Sequence, residues 1–337
     1  MKLRKVLAMV VCAAMAAASL SACGGSSGGA SGGSSSGGAS AGGGKAKIMT
    51  FGTADSTGTL YPVGAALASV INDNVGGVKV NVETSKGSAA NCTNVQKGEV
   101  DLGLATGDVA IQAVNGTGAF EGQQCGDLRA IAAVFPSVCG WMGLRSSGMT
   151  MVHDLNGKNV SIGPEASATE VAALASLAAC GVTPASTTNL GLGDAAEEVG
   201  DGLRDACTAF GGLPIGGQLS VAQTKDCVFL GFTDEELDKV IEANASYYKA
   251  LIPANTYPGQ AEDIPTFGVK CLVIVKADMD EETVYNFTKA INEHVEDLGN
   301  THNALTAMAD PDFICNDLPI ELHPGAKKYY EEAKMLK

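Results

Sequence analysis

The chain has 337 residues with 43 Gly, 11 Pro and 18% charged residues, a composition unlike a coiled coil or a polar disordered protein, and its length suits two α/β domains. With 22 Lys+Arg against 37 Asp+Glu the net charge is −15, so there is no basic surface on which a nucleic acid would release counterions. Apolar residues make up 45% of the chain, yet no uninterrupted apolar run of about 20 occurs beyond the N-terminus, which excludes an internal membrane span.

In chain order the first expectation is an export signal over 1–23. Lys2, Arg4 and Lys5 form a basic start, Val6 to Leu20 an apolar stretch, and Leu20-Ser21-Ala22-Cys23 closes it. That tetrapeptide resembles the bacterial lipobox, which implies lipidation of Cys23 and a mature chain that begins there. The segment removed holds three basic residues and no acidic ones, so the net charge moves to −18 and the acyl chains alone would hold the membrane. From Gly24 to Gly44 every residue is Gly, Ser or Ala, and 24–46 reads as a flexible tether with a root-mean-square reach of about 25 Å.

Beyond the tether, β-rich runs alternate with helical patterns. Ile48–Thr53, Val78–Thr84 and Leu102–Thr106 read as strands, separated by helices over Leu60–Asn74 and Ser88–Lys97. A second series follows Asp154-Leu155-Asn156-Gly157-Lys158. It comprises strand Asn159–Ile162, helix Ser167–Cys180, strand Ala206–Phe210, helix Pro214–Ala222 and strand Cys227–Leu230. A long apolar strand, Phe267–Val275, and a helix, Glu281–Leu298, come last. This rhythm predicts βαβ units around a largely parallel sheet. Residues 47–143 with 268–337 are expected to form lobe I and 144–267 lobe II, with two crossing connections as a hinge.

Glycine- and hydroxyl-rich junctions open three of these helices: Gly52 to Thr59, Ser85 to Asn91, and Gly163 to Thr169. Free backbone N–H groups and the helix dipole favour an anion at such places, although Ser, Thr and Gly are also ordinary helix caps. Three junctions from two lobes facing one cleft would hold a carboxylate or phosphate. Loss of a single hydroxyl, at Ser88 or Thr169, is expected to weaken binding about tenfold with little effect on the ligand-free fold. Glu236 reads as a distant surface acid that should barely matter.

Short strings in a fixed order then become specific. FGTADSTGTLYPVG, SKGSAAN, LGLATGDVAIQA, DLNGKNVSIGPEASATE, RDACTAFGGLP, LIPANTYPGQ, VYNFTKA and LHPGAKKYYEE run from about Ile48 to Glu331. In that order they resemble the solute receptors of the TAXI class of TRAP transporters. The resemblance implies a type II periplasmic-binding fold, two α/β lobes closing on a small organic anion such as glutamate, glutamine or a related dicarboxylate. It also implies delivery to the membrane subunits of an ion-driven TRAP permease, with no cofactor, no metal and a monomeric receptor held at the outer face of the cell membrane by its lipid. Carried over residue by residue, the ligand positions are Thr53, Ser56 and Tyr61, then Ser88 and Asn91, then Asp108, Ser167 and Thr169, and Gly212 to Pro214 at the cleft floor. The chain departs at Ala54, Thr57, Ala166 and Ala168, where the family favours Gly, and at Leu60, where an aromatic is frequent; the added methyl groups narrow the pocket. The same fold also serves ABC importers and ligand sensors.

Several side chains carry two readings. Asp108 either accepts a ligand ammonium group or caps the helix it opens. Lys86 reads as a solvated loop residue, Arg145 as a strand-end residue and Tyr257, ahead of Pro258 and Gly259, as a turn residue that also suits a pocket wall, as does Tyr61. His153, His294, His302 and His323 have neither metal-ligand spacing nor a neighbouring nucleophile, and GLGDAA at Gly191–Ala196 lacks the third Gly of a dinucleotide loop, so nothing assembles an enzyme site. Cys92, Cys125, Cys139, Cys180, Cys207, Cys227, Cys271 and Cys315 are evenly spread without a CxxC, which favours mostly free thiols.

Overall fold

The computed structural model describes residues 46–337; the signal, the lipobox with Cys23 and nearly all of the tether lie outside the described residues. Ten strands form one sheet: β1 Lys47–Gly52, β2 Val78–Glu83, β3 Leu102–Thr106, β4 Leu128–Leu144, β5 Asn159–Ser161, β6 Ser186–Thr188, β7 Ala206–Gly211, β8 Cys227–Leu230, β9 Tyr248–Ile252 and β10 Ile264–Lys276. Their order is β2-β1-β3-β10-β4-β7-β5-β6, with β8 beside β4 and β9 beside β10. Parallel pairs β1–β2, β1–β3, β5–β6 and β5–β7 lie toward the two ends, as the βαβ rhythm predicts, but the five pairs made by β4 and β10 are antiparallel, so the sheet is mixed and not largely parallel as expected.

What joins the two groups of strands is an antiparallel pair of long strands. β4 has 17 residues and β10 has 13, and they pair from Lys276↔Leu128 to Gly268↔Val138. Beyond Val138 the second half of β4 pairs with β7 on one side and β8 on the other, while the first half of β10 pairs with β9. Both strands are covered on both faces, which is why neither alternates apolar with polar residues along its length.

The helices between strands are α1 Leu60–Asn74, α2 Ser88–Lys97, α3 Gly107–Asn115, α4 Ala168–Ala179, α5 Leu192–Gly200, α6 Gly216–Ala222 and α7 Asp234–Ala243. After β10 come α8 Glu281–Glu293, α9 Val295–Thr301, α10 Pro311–Cys315 and α11 Pro324–Glu332. α1 buries Leu60, Val63, Leu67 and Ile71, a spacing of three and four that puts one stripe on the sheet against Met49 and Phe51. α2 ends at Gly98 in the left-handed region, a glycine C-cap.

Three expected boundaries change for physical reasons. Ser167 and Cys180 are the caps of α4 and lie outside it, and the Ser167 hydroxyl accepts the N–H of Glu170. Pro214 precedes α6, in a turn with a cis Leu213–Pro214 bond. The single helix expected over Glu281–Leu298 breaks at His294. Its ring Nδ1 takes the Ala290 carbonyl at 2.8 Å, leaving its backbone N–H to reach back only three residues, to Ile291. The eight cysteines of the described residues are free thiols, seven buried and Cys180 half-buried.

Candidate functional site

Three helices drawn from both groups of strands begin around one cavity. Leu60 opens α1, Ser88 opens α2, and Ala168 and Thr169 open α4, and all four residues line a cavity of about 30 Å3. The N–H groups of a first helical turn have no acceptor within their own helix, so three sets of donors and three positive dipole ends converge there. Glycine makes the approach possible. Gly87, which precedes α2, sits at φ +110°, where a side chain is strained, and a Cβ there would lie 3.3 Å from Ser167 Cβ. Gly163 sits at φ +86°, and a Cβ there would fall 2.4 Å from Thr169 Cγ2.

The first loop fastens the two sides together. Asp55 Oδ1 accepts the N–H and hydroxyl of Thr57 at 2.8 and 2.6 Å, fixing the loop's shape. Thr57 then accepts the N–H of Gly193 on its hydroxyl and that of Gly217 on its carbonyl, both at 3.0 Å. Thr59 Oγ1 donates to the Gly212 carbonyl at 2.7 Å. At the mouth, Lys86 pairs with Glu165 at 3.3 Å; both side chains are largely exposed, so the pair is worth little in stability.

The expected ligand residues separate into three kinds. Ser88, Ser167 and Thr169 line the cavity, as do Ala54, Leu60 and Ala168 among the narrowing departures. Thr53 and Asn91 are fully buried in framework bonds. Thr53 Oγ1 donates to the Glu83 carbonyl, and Asn91 donates to the Thr53 and Leu104 carbonyls while accepting from Ser85. Ser56 is exposed, Tyr61 is half-buried, and neither lines the cavity. Gly212 contributes its carbonyl to Thr59. Pro214 lines a different, open groove of about 600 Å3 whose lining holds no charged residue. We place the site at the small cavity because the helix N-termini meet there.

Asp108 stands behind the cavity. It is fully buried near the start of α3, and Tyr247 donates its phenolic O–H to Oδ2, while Oδ1 has no partner. Burial pushes its carboxyl up from the ordinary carboxylate value, against lowering by the neighbouring Thr106 and Tyr247 hydroxyls. Tyr247 packs at 4.9 Å from Phe267 and at 6.2 Å from Phe210, the latter a wall of the cavity. Tyr257, read as a turn residue that also suits a pocket wall, is a framework residue. It stacks on Phe229 at 4.1 Å and its hydroxyl accepts the N–H of Ile215 at 2.9 Å. Arg145 holds the Asp226 side chain and the Cys227 and Gly259 carbonyls, a strand-end role as expected.

Two expectations need correction. Ser88 Oγ accepts the buried N–H of Thr106 at 3.1 Å and Thr169 Oγ1 that of Phe210 at 3.2 Å, so removing either hydroxyl leaves a buried donor unpaired and also costs stability. Glu236 is only 8% exposed; it closes a capping box with Thr233 and accepts from His153 Nδ1 at 2.8 Å, so it is not a passive surface acid. The lining residues that sequence reasoning missed are Leu192, Phe210 and Ile215. Apolar residues at strand ends and helix starts look like core, and no local signal sets these apart.

A family model described as the NMT1-like family matches residues 51–333, most of the chain. The chain belongs to the NMT1-like family. Among solved structures, a Listeria monocytogenes protein assigned as an L-cystine ABC transporter is similar at a TM-score of 0.51 and 14% identity, over 77% of this chain and 97% of that chain. The GluR0 ligand-binding core of Nostoc punctiforme, solved with L-glutamate, is similar at 0.49 and 11% identity, over 76% and 98%. The likeness to the Listeria protein shows the fold: this NMT1-like chain has the type II periplasmic-binding architecture, two α/β lobes about a cleft. Among the described residues no helix is long and apolar enough to cross a membrane.

Proposed function

We propose that the protein is an extracytoplasmic solute receptor that closes on a small organic anion and delivers it to a TRAP-type secondary transporter. The observation that carries this reading is the meeting of the α1 and α2 N-termini with that of α4 at one buried cavity, with hydroxyls beside them. Such a site suits a carboxylate, since N–H groups and dipole ends supply short-range attraction that a protein of net charge −15 lacks at long range. Residues 47–143 with 268–337 act as one lobe and 144–267 as the other, with β4 and β10 as the crossing strands. Cys23 carries the lipid anchor and 24–46 the tether. Glutamate, glutamine and related dicarboxylates are the ligands that the TAXI resemblance brings forward.

Delivery to an ABC importer is the second reading, favoured by the name of the Listeria structure. A thermal-shift screen of small organic acids tests the receptor itself, because a ligand that binds only the folded state raises its stability by mass action. Uptake into cells with the ATP pool collapsed but the ion gradient intact separates the two machines. Persistence of uptake supports TRAP delivery, and its loss supports the ABC importer. Recovery of chemically altered ligand from purified protein would overturn the receptor reading.

A further inference from the structure

We infer that the ligand is a short monocarboxylate without an ammonium group, such as an unsubstituted or 2-oxo acid of three or four carbons. This deepens the receptor reading and rests on it. Ser88 and Thr169 are 1% and 4% exposed, come one from each lobe, and line the same cavity. Each hydroxyl oxygen already accepts a backbone N–H, from Thr106 and Phe210, and neither hydroxyl donates to any group among the described residues. Their protons are therefore two buried donors without an acceptor among the described residues, and they stand beside the N–H groups of three helix starts. One oxyanion satisfies that set.

The carboxylates that an α-ammonium would need are engaged by other groups through at least one oxygen each. Asp108 is bound to Tyr247 and does not line the cavity. Asp55, which lines the cavity, spends Oδ1 on the N–H and hydroxyl of Thr57 and keeps Oδ2 against Gly191, and Glu165 holds Lys86 at the mouth. A second carboxylate would have to take Lys86 from Glu165. Leu60, Leu192, Phe210 and Ile215 give the lining an apolar side, which suits a hydrocarbon tail and penalises a charge placed against it. Size points the same way. At about 30 Å3 the cavity is roughly a tenth of the smallest pockets that take drug-sized ligands.

The test is titration calorimetry of the mature protein with matched acids: propionate, 2-oxobutyrate, 2-aminobutyrate, succinate and glutamate. The expected result is binding of propionate and 2-oxobutyrate at least 100-fold tighter than of 2-aminobutyrate. Equal or tighter binding of 2-aminobutyrate, glutamate or succinate would overturn the inference and leave the receptor reading standing. Binding of none of the five, by protein that melts cooperatively, would overturn both. Thr169→Val should weaken propionate binding tenfold or more, whereas Thr169→Ser should keep it within about threefold. Should Thr169→Val not fold, Leu192→Ala serves. It lengthens the apolar end and should move the preference from propionate toward valerate, and an unchanged preference would count against the assigned tail pocket.

Discussion

The buried pair Asp108–Tyr247 makes a sharp prediction because its two ends respond oppositely to substitution. Tyr247→Phe removes the only side-chain O–H that Asp108 Oδ2 accepts and leaves a fully buried carboxyl with Oδ1 already unpartnered. Leaving a buried acceptor without its partner costs about 1–3 kcal/mol, and that is the expected loss. Asp108→Asn should behave differently. Burial raises the carboxyl's pKa in the folded chain above its ordinary value, so the folded state holds the proton to higher pH than the unfolded one. Folded chain thus binds more protons as pH climbs from the ordinary value of 3.8, and stability falls with rising pH at no more than about 1.4 kcal/mol per unit. Asparagine removes that slope, and its Nδ2 faces Thr106 Oγ1, itself a buried oxygen without a partner. Urea unfolding of both proteins from pH 4 to pH 8 should therefore show Asp108→Asn gaining on wild type as pH rises. A stability difference that stays flat across that range would refute the claim that burial raises the carboxyl's pKa in the folded chain.

Other outcomes are open to direct measurement. Gly212→Ala would set a Cβ 2.6 Å from that of Ala304 and 2.9 Å from Thr59 Cγ2; overpacking of this kind costs about 1–3 kcal/mol, read as a lower urea midpoint. Ala166→Gly should stabilise by up to about 1 kcal/mol, since Ala166 sits at φ 60° in the left-handed region, and an unchanged midpoint would argue against strain there. Cys23→Ala chains whose signal has been removed should appear in the soluble fraction, and persistent membrane association of such cleaved chains would count against the lipobox reading. Thr59→Val breaks the bond to the Gly212 carbonyl and should raise the radius of gyration of the ligand-bound protein in solution scattering; an identical curve would show that this contact does not hold the lobes together.

The parts of this molecule that were legible in sequence are those with local signals. Helix α2 begins at Ser88 and ends at Lys97 as its Gly87 and Gly98 flanks foretell, and α1 follows from one apolar stripe. β4 was missed because Pro136, Gly140 and Gly143 interrupt a run whose two-sided burial depends on partners far along the chain, β10 on one edge and β7 on another. Within the site, hydroxyl-rich junctions marked Ser88, Ser167 and Thr169. They could not show which hydroxyls are spent on the framework, as at Thr53, and which keep a free proton. That depends on long-range pairings such as Thr106 to Ser88 and Phe210 to Thr169. The apolar half of the cavity, Leu192, Phe210 and Ile215, comes from three separate elements whose convergence only the folded chain reveals.

The central claim is that a small organic acid is held between the two lobes by Ser88 and Thr169. Titration calorimetry with whichever acid stabilises the protein most tests it, run in parallel on wild type, Ser56→Ala and the double variant Ser88→Ala/Thr169→Val. Ser56 is exposed and away from the cavity, so that variant should bind as wild type does, at one acid per chain. The double variant, provided it still melts cooperatively, should lose at least a hundredfold in affinity, about 2.7 kcal/mol. Wild-type affinity in the double variant, or a comparable loss in Ser56→Ala, would contradict the account and move the site away from this cavity.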